Sequence, residues 1–140
     1  MRRTFALALA AVALGGIGAM AQSATSVWDG IYTEAQAARG ADGFAMSCAS
    51  CHGAGLTGTG EAPALQGPQF VSDFDGETVG DLFDRIRTSM PQDRPGSLSR
   101  DQYADILAFV LKANAFPAGP KELDRRSEYL KAIRFTAAKP

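Results

Sequence analysis

The chain has 140 residues, with 14 lysines and arginines against 15 aspartates and glutamates, one histidine, and a formal net charge of −1 at pH 7. This length corresponds to one small domain. The near-neutral, slightly acidic balance argues against nucleic acid as a partner, because a nucleic-acid-binding domain needs a dominant basic face.

The first 21 residues have the pattern of a secretory signal peptide. Arg2 and Arg3 precede an apolar run at residues 5–20, and Ala19-Met20-Ala21 has the small residues of a cleavage site. Cleavage there would remove two basic residues and no acidic one, leaving residues 22–140 as a single domain with 12 basic against 15 acidic residues. We therefore expect a periplasmic protein without stable membrane insertion. An uncleaved membrane anchor is the alternative, although the apolar run is short for a bilayer span.

The first predicted helix begins at Thr33, which forms a capping box pattern with Gln36, and it runs into Cys48. One face of this helix carries Ala37, Gly40, Ala41 and Phe44.

The helix leads into Cys48-Ala49-Ser50-Cys51-His52, which contains both cysteines and the only histidine of the chain. The order C-x-x-C-H is the attachment pattern of c-type haem. Cysteines at i and i+3 of a helix lie on one side, so that two thioether bonds can form to the two vinyl groups of one porphyrin. The adjacent histidine provides an imidazole as axial ligand of the iron. The sequence therefore predicts one covalent haem c, attached at Cys48 and Cys51 and ligated by His52.

Three other interpretations of the two cysteines are weaker. A disulfide across two intervening residues would restrain the chain very little. A thiol–disulfide exchange site would need a thioredoxin-like βαβ frame, which the sequence does not offer. A structural zinc site needs four nitrogen or sulfur ligands, and this chain has two cysteines and one histidine.

Residues 53–75 are rich in glycine and proline, which predicts a long loop. A loop of this length in a small domain usually encloses something, and the haem is the expected object. The second helix is predicted to begin after Thr78, with Asp81 in its first turn, and to end at Pro91. Its apolar residues are Leu82, Phe83 and Ile86.

Met90, at the end of the second helix, is the predicted second axial ligand of the iron. Met46 is the other candidate outside the signal segment, but it lies two residues before Cys48, on the wrong side of the attachment helix. The alternative role for Met90 is to fill a gap in the core. Ligation by methionine and histidine raises the reduction potential and leaves no open position on the iron, which favours electron transfer over catalysis.

The third helix is predicted to begin after Ser99, which pairs with Gln102 in a second capping box. Its apolar residues follow the i, i+3, i+4, i+7, i+8 pattern: Tyr103, Ile106, Leu107, Val110 and Leu111. A weaker helix is predicted within residues 123–133, as part of a helical extension from about residue 121.

Charge is unevenly distributed between the second and third helices. A basic stretch comprises Arg85, Arg87, Arg94 and Arg100, with Asp93 as its one acidic residue. Such a stretch is usually a solvated face. The alternatives are a rim that docks an acidic partner, or an arginine that pairs with a haem propionate.

The chain resembles the class I c-type cytochromes, the small soluble bacterial monohaem proteins, from about residue 27 to residue 133. The resemblance rests on Cys48, Cys51 and His52 and on Met90 followed by Pro91. The segments at residues 89–91, 95–99 and 116–119 are similar to cytochromes that serve bacterial quinoprotein dehydrogenases. The resemblance implies an all-α cytochrome c fold, with three to four helices and a Gly/Pro-rich loop wrapped around one covalent haem.

The resemblance also implies roles around the haem. In the family, a proline carbonyl of the loop accepts a hydrogen bond from the axial histidine, and Pro63 matches that position. Leu65 is then expected to pack on the porphyrin. Gly40 and Phe44 match the crossing of the first and last helices, facing Ile106 and Phe109 or Val110.

The favoured function is that of a periplasmic electron carrier rather than an enzyme. It would take single electrons from a donor such as a quinoprotein dehydrogenase and pass them to an acceptor such as a terminal oxidase. The first alternative is a haem subunit of a dehydrogenase complex. The second is a haem enzyme or gas-binding protein, which would require an iron without Met90.

Overall fold

A computed structural model describes residues 26–140, so that the predicted signal peptide at residues 1–21 lies outside the described part of the chain. The regular elements within residues 26–140 are helices, and these residues form no β-strand, which confirms the expected all-α class. A 3-10 turn at Val27–Asp29 precedes the α-helices α1 (Glu34–Ser47), α2 (Ala49–His52), α3 (Pro68–Asp73), α4 (Val79–Ser89), α5 (Arg100–Ala113) and α6 (Ser127–Leu130). The long helices α1, α4 and α5 are the three that the sequence predicts.

Helices α1 and α5 cross in close contact at Gly40. A Cβ atom at this position would overlap the carbonyl oxygen of Asp105 and lie 3.0 Å from the Cβ of Phe109. One turn further along α1, the ring centroids of Phe44 and Phe109 are 5.4 Å apart. The crossing therefore depends on a residue without a side chain beside an aromatic pair, as the sequence indicates.

The starts of the helices follow the capping patterns of the sequence, with one exception. Full capping boxes precede α4, at Thr78 and Asp81, and α5, at Ser99 and Gln102. At α1 the Thr33 hydroxyl accepts a hydrogen bond from the backbone N–H of Gln36. The prediction that the Gln36 side chain bonds back to the Thr33 N–H is wrong. That buried side chain bonds instead to the backbone of Leu123.

The predicted loop at residues 53–75 contains the short helix α3, which the sequence prediction missed. Pro68 stands in its first turn, where the missing N–H of proline costs nothing. Phe70 of α3 is buried, and its ring centroid lies 4.9 Å from that of Phe74. A few buried aromatic contacts therefore stabilise a helix too short to form alone.

The predicted helix within residues 123–133 is much shorter in the structure, where α6 covers four residues. The chain beyond α6 is hydrogen-bonded to the residues at and just before the start of α4. The Val79 N–H donates to the Ile133 carbonyl at 2.9 Å, and the Phe135 N–H donates to the Glu77 carbonyl at 2.9 Å. Phe135 is fully buried. The C-terminal segment is therefore part of the body of the domain.

Within residues 26–140, no helix combines the length and the apolar character that crossing a bilayer requires.

Candidate functional site

The two cysteines lie at the junction of α1 and α2. Cys48 stands between the two helices, with φ of −128°, and Cys51 lies in α2. Neither forms a disulfide; Cys48 is half-buried and Cys51 is exposed. Burial raises the pKa of the Cys48 thiol to about 11, with a smaller contribution from neighbouring Cys51. Both sulfur atoms are therefore available for bonds to a group lying against this junction.

His52 ends α2, and its side chain is buried, with 7% of the residue exposed. Its Nδ1 lies 2.8 Å from the carbonyl oxygen of Pro63. A carbonyl only accepts hydrogen bonds, so this contact assigns the proton to Nδ1 and leaves the lone pair on Nε2. The imidazole is thus oriented by the loop, with Nε2 as its metal-binding atom.

The loop that carries Pro63 is bonded directly to α2. The Thr59 hydroxyl donates to the Cys51 carbonyl at 2.7 Å, and the Gly58 N–H donates to the His52 carbonyl at 2.8 Å. Gly58 has φ of +76°, and a Cβ there would lie 2.6 Å from the backbone nitrogen of Ala64. Glycine is therefore needed where the loop closes on the histidine.

Leu65 is half-buried against the core, in a loop segment that α5 fixes from the other side. Asn114, at the end of α5, donates through its amide to the Leu65 carbonyl at 2.9 Å. The same side chain accepts from the Gly67 N–H at 3.0 Å. The sequence analysis did not identify Asn114. The feature that could have indicated it is a side-chain amide, which can both donate and accept, directly after a strongly amphipathic helix.

Met90 is half-buried at the C-terminal end of α4. Its backbone N–H donates to the Ile86 carbonyl at 2.9 Å, and its own carbonyl accepts from the buried Tyr103 hydroxyl at 2.7 Å. Helices α4 and α5 thus both fix the backbone at this methionine. Met46, the rejected candidate, is 75% exposed.

The arginines of the basic stretch differ in their surroundings. Arg85 bonds to both carboxylate oxygens of Glu77 at 3.1 Å, and Arg94 lies 3.7 Å from Asp93. Both side chains are more than half exposed, which is typical of a solvated face. Arg87 is less exposed, and its Nε is buried without a hydrogen-bond partner.

These residues fit a covalent haem. Two unpaired thiols stand next to an imidazole whose Nε2 carries the lone pair, and a half-buried thioether ends the following long helix. Sulfur and imidazole are the ligands that haem iron takes in c-type proteins. The buried, unpartnered Arg87 Nε is a hydrogen-bond donor that a carboxylate could satisfy.

An all-α fold with a C-x-x-C-H junction and a Gly/Pro-rich loop closed over the histidine defines a small c-type cytochrome with covalently attached haem c. A family model described as cytochrome c oxidase, cbb3-type, subunit III matches residues 35–110. The match covers more than half of the chain, which therefore belongs to this cytochrome c family. Electron transport through haem iron is thus the class of function.

Two curated relatives are cytochrome bc1 complex cytochrome c subunits. That of Corynebacterium diphtheriae is 32% identical over 93 residues, which are 64% of this chain and 31% of the relative. That of Corynebacterium efficiens is 29% identical over 106 residues, 74% of this chain and 34% of the relative. The chain spans about a third of the length of both relatives.

A solved structure with a similar fold is the sulfane dehydrogenase SoxCD from Paracoccus pantotrophus. The matching chain has a TM-score of 0.50 and 25% sequence identity, and the match covers 93% of the present chain and 68% of that chain. The two curated relatives are thus named as subunits of a bc1 complex, and the solved structure is named as a dehydrogenase.

Proposed function

We propose that this protein is an exported monohaem cytochrome that carries single electrons between a donor dehydrogenase and a downstream acceptor such as a terminal oxidase. Cys48 and Cys51 hold the haem through thioether bonds, and His52 and Met90 are the axial ligands of its iron. When bound, the haem supplies the one-electron couple, and the protein holds and tunes it.

The hydrogen bond between His52 and Pro63 is the observation that carries this proposal. It fixes the tautomer and the direction of the ring before any metal binds, because Pro63 belongs to a loop bonded to α2 at Thr59 and Gly58. Such an outer contact also increases the basicity of the ligating nitrogen. An exchange-type or disulfide-forming C-x-x-C would have no need of an adjacent imidazole oriented in this way.

Met90 is proposed as the second axial ligand because its backbone is fixed from two helices while its side chain is half-buried. Leu65 is proposed to pack on the porphyrin, since Asn114 and Leu56 fix its backbone. A methionine–histidine pair leaves no coordination position for substrate, so the protein would transfer electrons without bond-making at the iron.

The test compares Met90→Ala with Met46→Ala in the purified holoprotein. We expect Met90→Ala to remove the weak red charge-transfer band of iron–methionine ligation and to lower the midpoint potential, since a thioether favours ferrous iron. Its ferrous form should also bind carbon monoxide rapidly. Met46→Ala should match the unsubstituted protein in all three measurements, because its side chain lies in solvent.

Rapid carbon monoxide binding by the unsubstituted ferrous protein at neutral pH would contradict ligation by Met90. It would favour the haem enzyme or gas-binding protein with an open iron site.

A haem subunit of a larger redox complex is the second candidate, favoured by the similarity to bc1 subunits and to a SoxCD chain. Affinity purification from the native source under mild conditions separates the two. A stoichiometric large dehydrogenase subunit would support the complex, whereas a monomeric haem protein would support the free carrier.

Residues 1–21 are proposed to direct export to the periplasm and to be removed near Ala21, leaving residues 22–140 as one cytochrome domain. Intact mass measurement of the periplasmic protein tests this. The expected mass is that of residues 22–140 plus one haem, and a membrane-bound product that retains residue 1 would contradict it.

A further inference from the structure

Arg87 carries an unsatisfied polar atom. Among residues 26–140, its Nε is the one buried side-chain nitrogen or oxygen without a hydrogen-bond partner. A buried donor left unpaired costs free energy, and most such groups in folded proteins have a partner. The Arg87 Nε–H is therefore available to a hydrogen-bond acceptor that the surrounding protein groups do not provide.

Arg87 belongs to a cluster of charged side chains between α4 and the end of α6. One Arg87 terminal nitrogen lies 3.3 Å from an Asp84 carboxylate oxygen. Asp84 also accepts a hydrogen bond from Ser127 at 2.5 Å and lies 3.6 Å from the Lys131 ammonium group. The pKa of Asp84 is lowered, chiefly by the Ser127 hydrogen bond and further by Arg87 and Lys131, so this carboxylate is ionised at neutral pH. Asp81 also interacts electrostatically with Lys131 and Asp84, so two carboxylates face two cationic groups, and the Arg87 Nε is the donor of this cluster that lacks a partner.

Arg87 is also close in the fold to the proposed iron ligand. It lies on α4 three residues before Met90, which caps the C-terminal end of this helix. A haem brings two propionates on the porphyrin edge opposite the vinyl groups. Guanidinium groups bind carboxylates through strong charge-assisted hydrogen bonds, often with two nitrogens at once.

We propose that the Arg87 guanidinium binds a haem propionate, with Nε as one donor, and so joins the porphyrin edge to the Asp84–Lys131 cluster of α4 and the C-terminal segment. This inference rests on the proposed attachment of haem at Cys48 and Cys51 and on ligation by Met90. Of the four basic residues in the stretch, Arg87 alone has a buried, unpartnered donor.

The first measurement uses the unsubstituted ferrous holoprotein, labelled with nitrogen-15 at arginine and studied by NMR. We expect a nuclear Overhauser contact between the Arg87 Nε–H and a propionate methylene. We also expect this proton to exchange with water about tenfold or more slowly than that of Arg85, which is 56% exposed. Lack of the contact, or equally fast exchange in the two arginines, would overturn the proposal.

The second measurement compares the midpoint potentials of Arg87→Gln and Arg85→Gln. Arg85 is the matched control, since it lies on the same helix and is paired with Glu77 at the surface. Removal of a positive charge next to the haem stabilises ferric iron, so Arg87→Gln should lower the potential and Arg85→Gln should change it much less. Equal shifts in the two variants would count against a propionate contact, and Arg87→Lys should restore part of the potential.

The red charge-transfer band keeps this inference distinguishable from the proposed function. If the band is present and the NMR contact is absent, the Arg87 assignment fails while methionine ligation stands. If the band is absent from the unsubstituted protein, the ligand assignment itself fails.

Discussion

At the scale of single residues, polar side chains join parts of the chain that are distant in sequence. Gln36, in the first turn of α1, is buried and bonds to both backbone groups of Leu123: its Oε1 accepts from the N–H at 2.6 Å and its Nε2 donates to the carbonyl at 3.1 Å. The Asn114 side chain likewise bonds to two backbone groups of the loop: it donates to the Leu65 carbonyl and accepts from the Gly67 N–H. One glutamine thereby satisfies both backbone groups of a buried residue that lies outside any helix.

Replacing Gln36 by leucine should destabilise the domain. The leucine keeps most of the volume but leaves the Leu123 N–H and carbonyl unpaired, at about 1–3 kcal/mol each, so we expect a loss of about 2–5 kcal/mol. Urea unfolding followed by far-ultraviolet circular dichroism measures this. The control is Gln69→Leu on α3, where the side chain is exposed and bonds only to Asp73, and its effect should stay within about 0.5 kcal/mol. Equal losses in both variants would contradict the role of Gln36.

At the scale of helices, the α1–α5 crossing and the helix caps determine how the site is held. The crossing brings the backbone of α1 against the backbone of α5 at Gly40, close to the start of the haem-binding junction. The caps of α4 and α5 fix the helices that hold Met90 and Tyr103. Small displacements in these contacts would therefore move the Cys48–His52 junction and the proposed ligand Met90.

The two glycines of α1 should respond oppositely to alanine. In Gly40→Ala the new Cβ meets the Asp105 carbonyl, which belongs to a helix backbone and cannot move alone. We expect a loss of about 3 kcal/mol or more. In Gly43→Ala the new Cβ meets the Ile106 side chain at 3.1 Å, which can adjust, and alanine gains up to about 1 kcal/mol of helix propensity. Thermal unfolding measures the stability of the two variants. Equal changes in Gly40→Ala and Gly43→Ala would contradict the close crossing of α1 and α5.

The capping boxes of α4 and α5 should differ in their response to acid. The Thr78 hydroxyl and N–H donate to the Asp81 carboxylate, and mainly the hydroxyl bond lowers the pKa of Asp81. A carboxyl group with a lowered pKa in the folded state stabilises it above the ordinary value, and this contribution is lost as the pH falls through the folded value.

Asp81→Ala should therefore cost about 1 kcal/mol at neutral pH, and this cost should shrink below about pH 4. Gln102→Ala removes the amide from the equivalent box of α5 and should show a similar cost at both pH values, because an amide does not titrate in this range. Urea unfolding at pH 7 and pH 3 gives the comparison. A cost of Asp81→Ala that does not change with pH would show that its charge is not involved.

At the scale of the whole molecule, the C-terminal segment closes the domain. Phe135 packs in the core, with ring centroids 5.2 Å from Phe116, 6.0 Å from Phe74 and 6.3 Å from Phe70. Arg134 adds backbone bridges to Ser26 and Thr78, which connect the two ends of the described chain. The extension therefore adds an aromatic cluster to the core of a small cytochrome.

Phe135→Ala should cost about 3–5 kcal/mol, since it empties a fully buried site among three rings. The control is Tyr129→Ala in α6: its ring is 55% exposed and lies under Arg126, so its loss should cost about 1 kcal/mol or less. Denaturant unfolding of the holoprotein is the measurement. A similar small cost for both residues would mean that the C-terminal segment does not contribute to the core in solution.

Features that depend on near neighbours in the chain could be predicted from the sequence. The spacing of Cys48, Cys51 and His52, the caps at Thr78 and Ser99 and the apolar pattern of α5 all act within one or two helical turns, so they can be read along the sequence. They were sufficient for the cofactor, the fold class and the three long helices.

The contacts of the Gln36, Asn114 and Arg87 side chains, and the packing of the C-terminal segment, could be found in the folded structure alone. Gln36 and Asn114 bond to groups 47 to 87 positions away in the chain, whereas the Arg87 Nε has no hydrogen-bond partner, and nothing in the local sequence distinguishes the two cases. The short helices α3 and α6 likewise depend on the burial of one of their own residues, Phe70 and Leu130, and not on intrinsic helix propensity. Long-range burial and hydrogen bonding are properties of the assembled fold, which is why sequence pattern alone did not predict them.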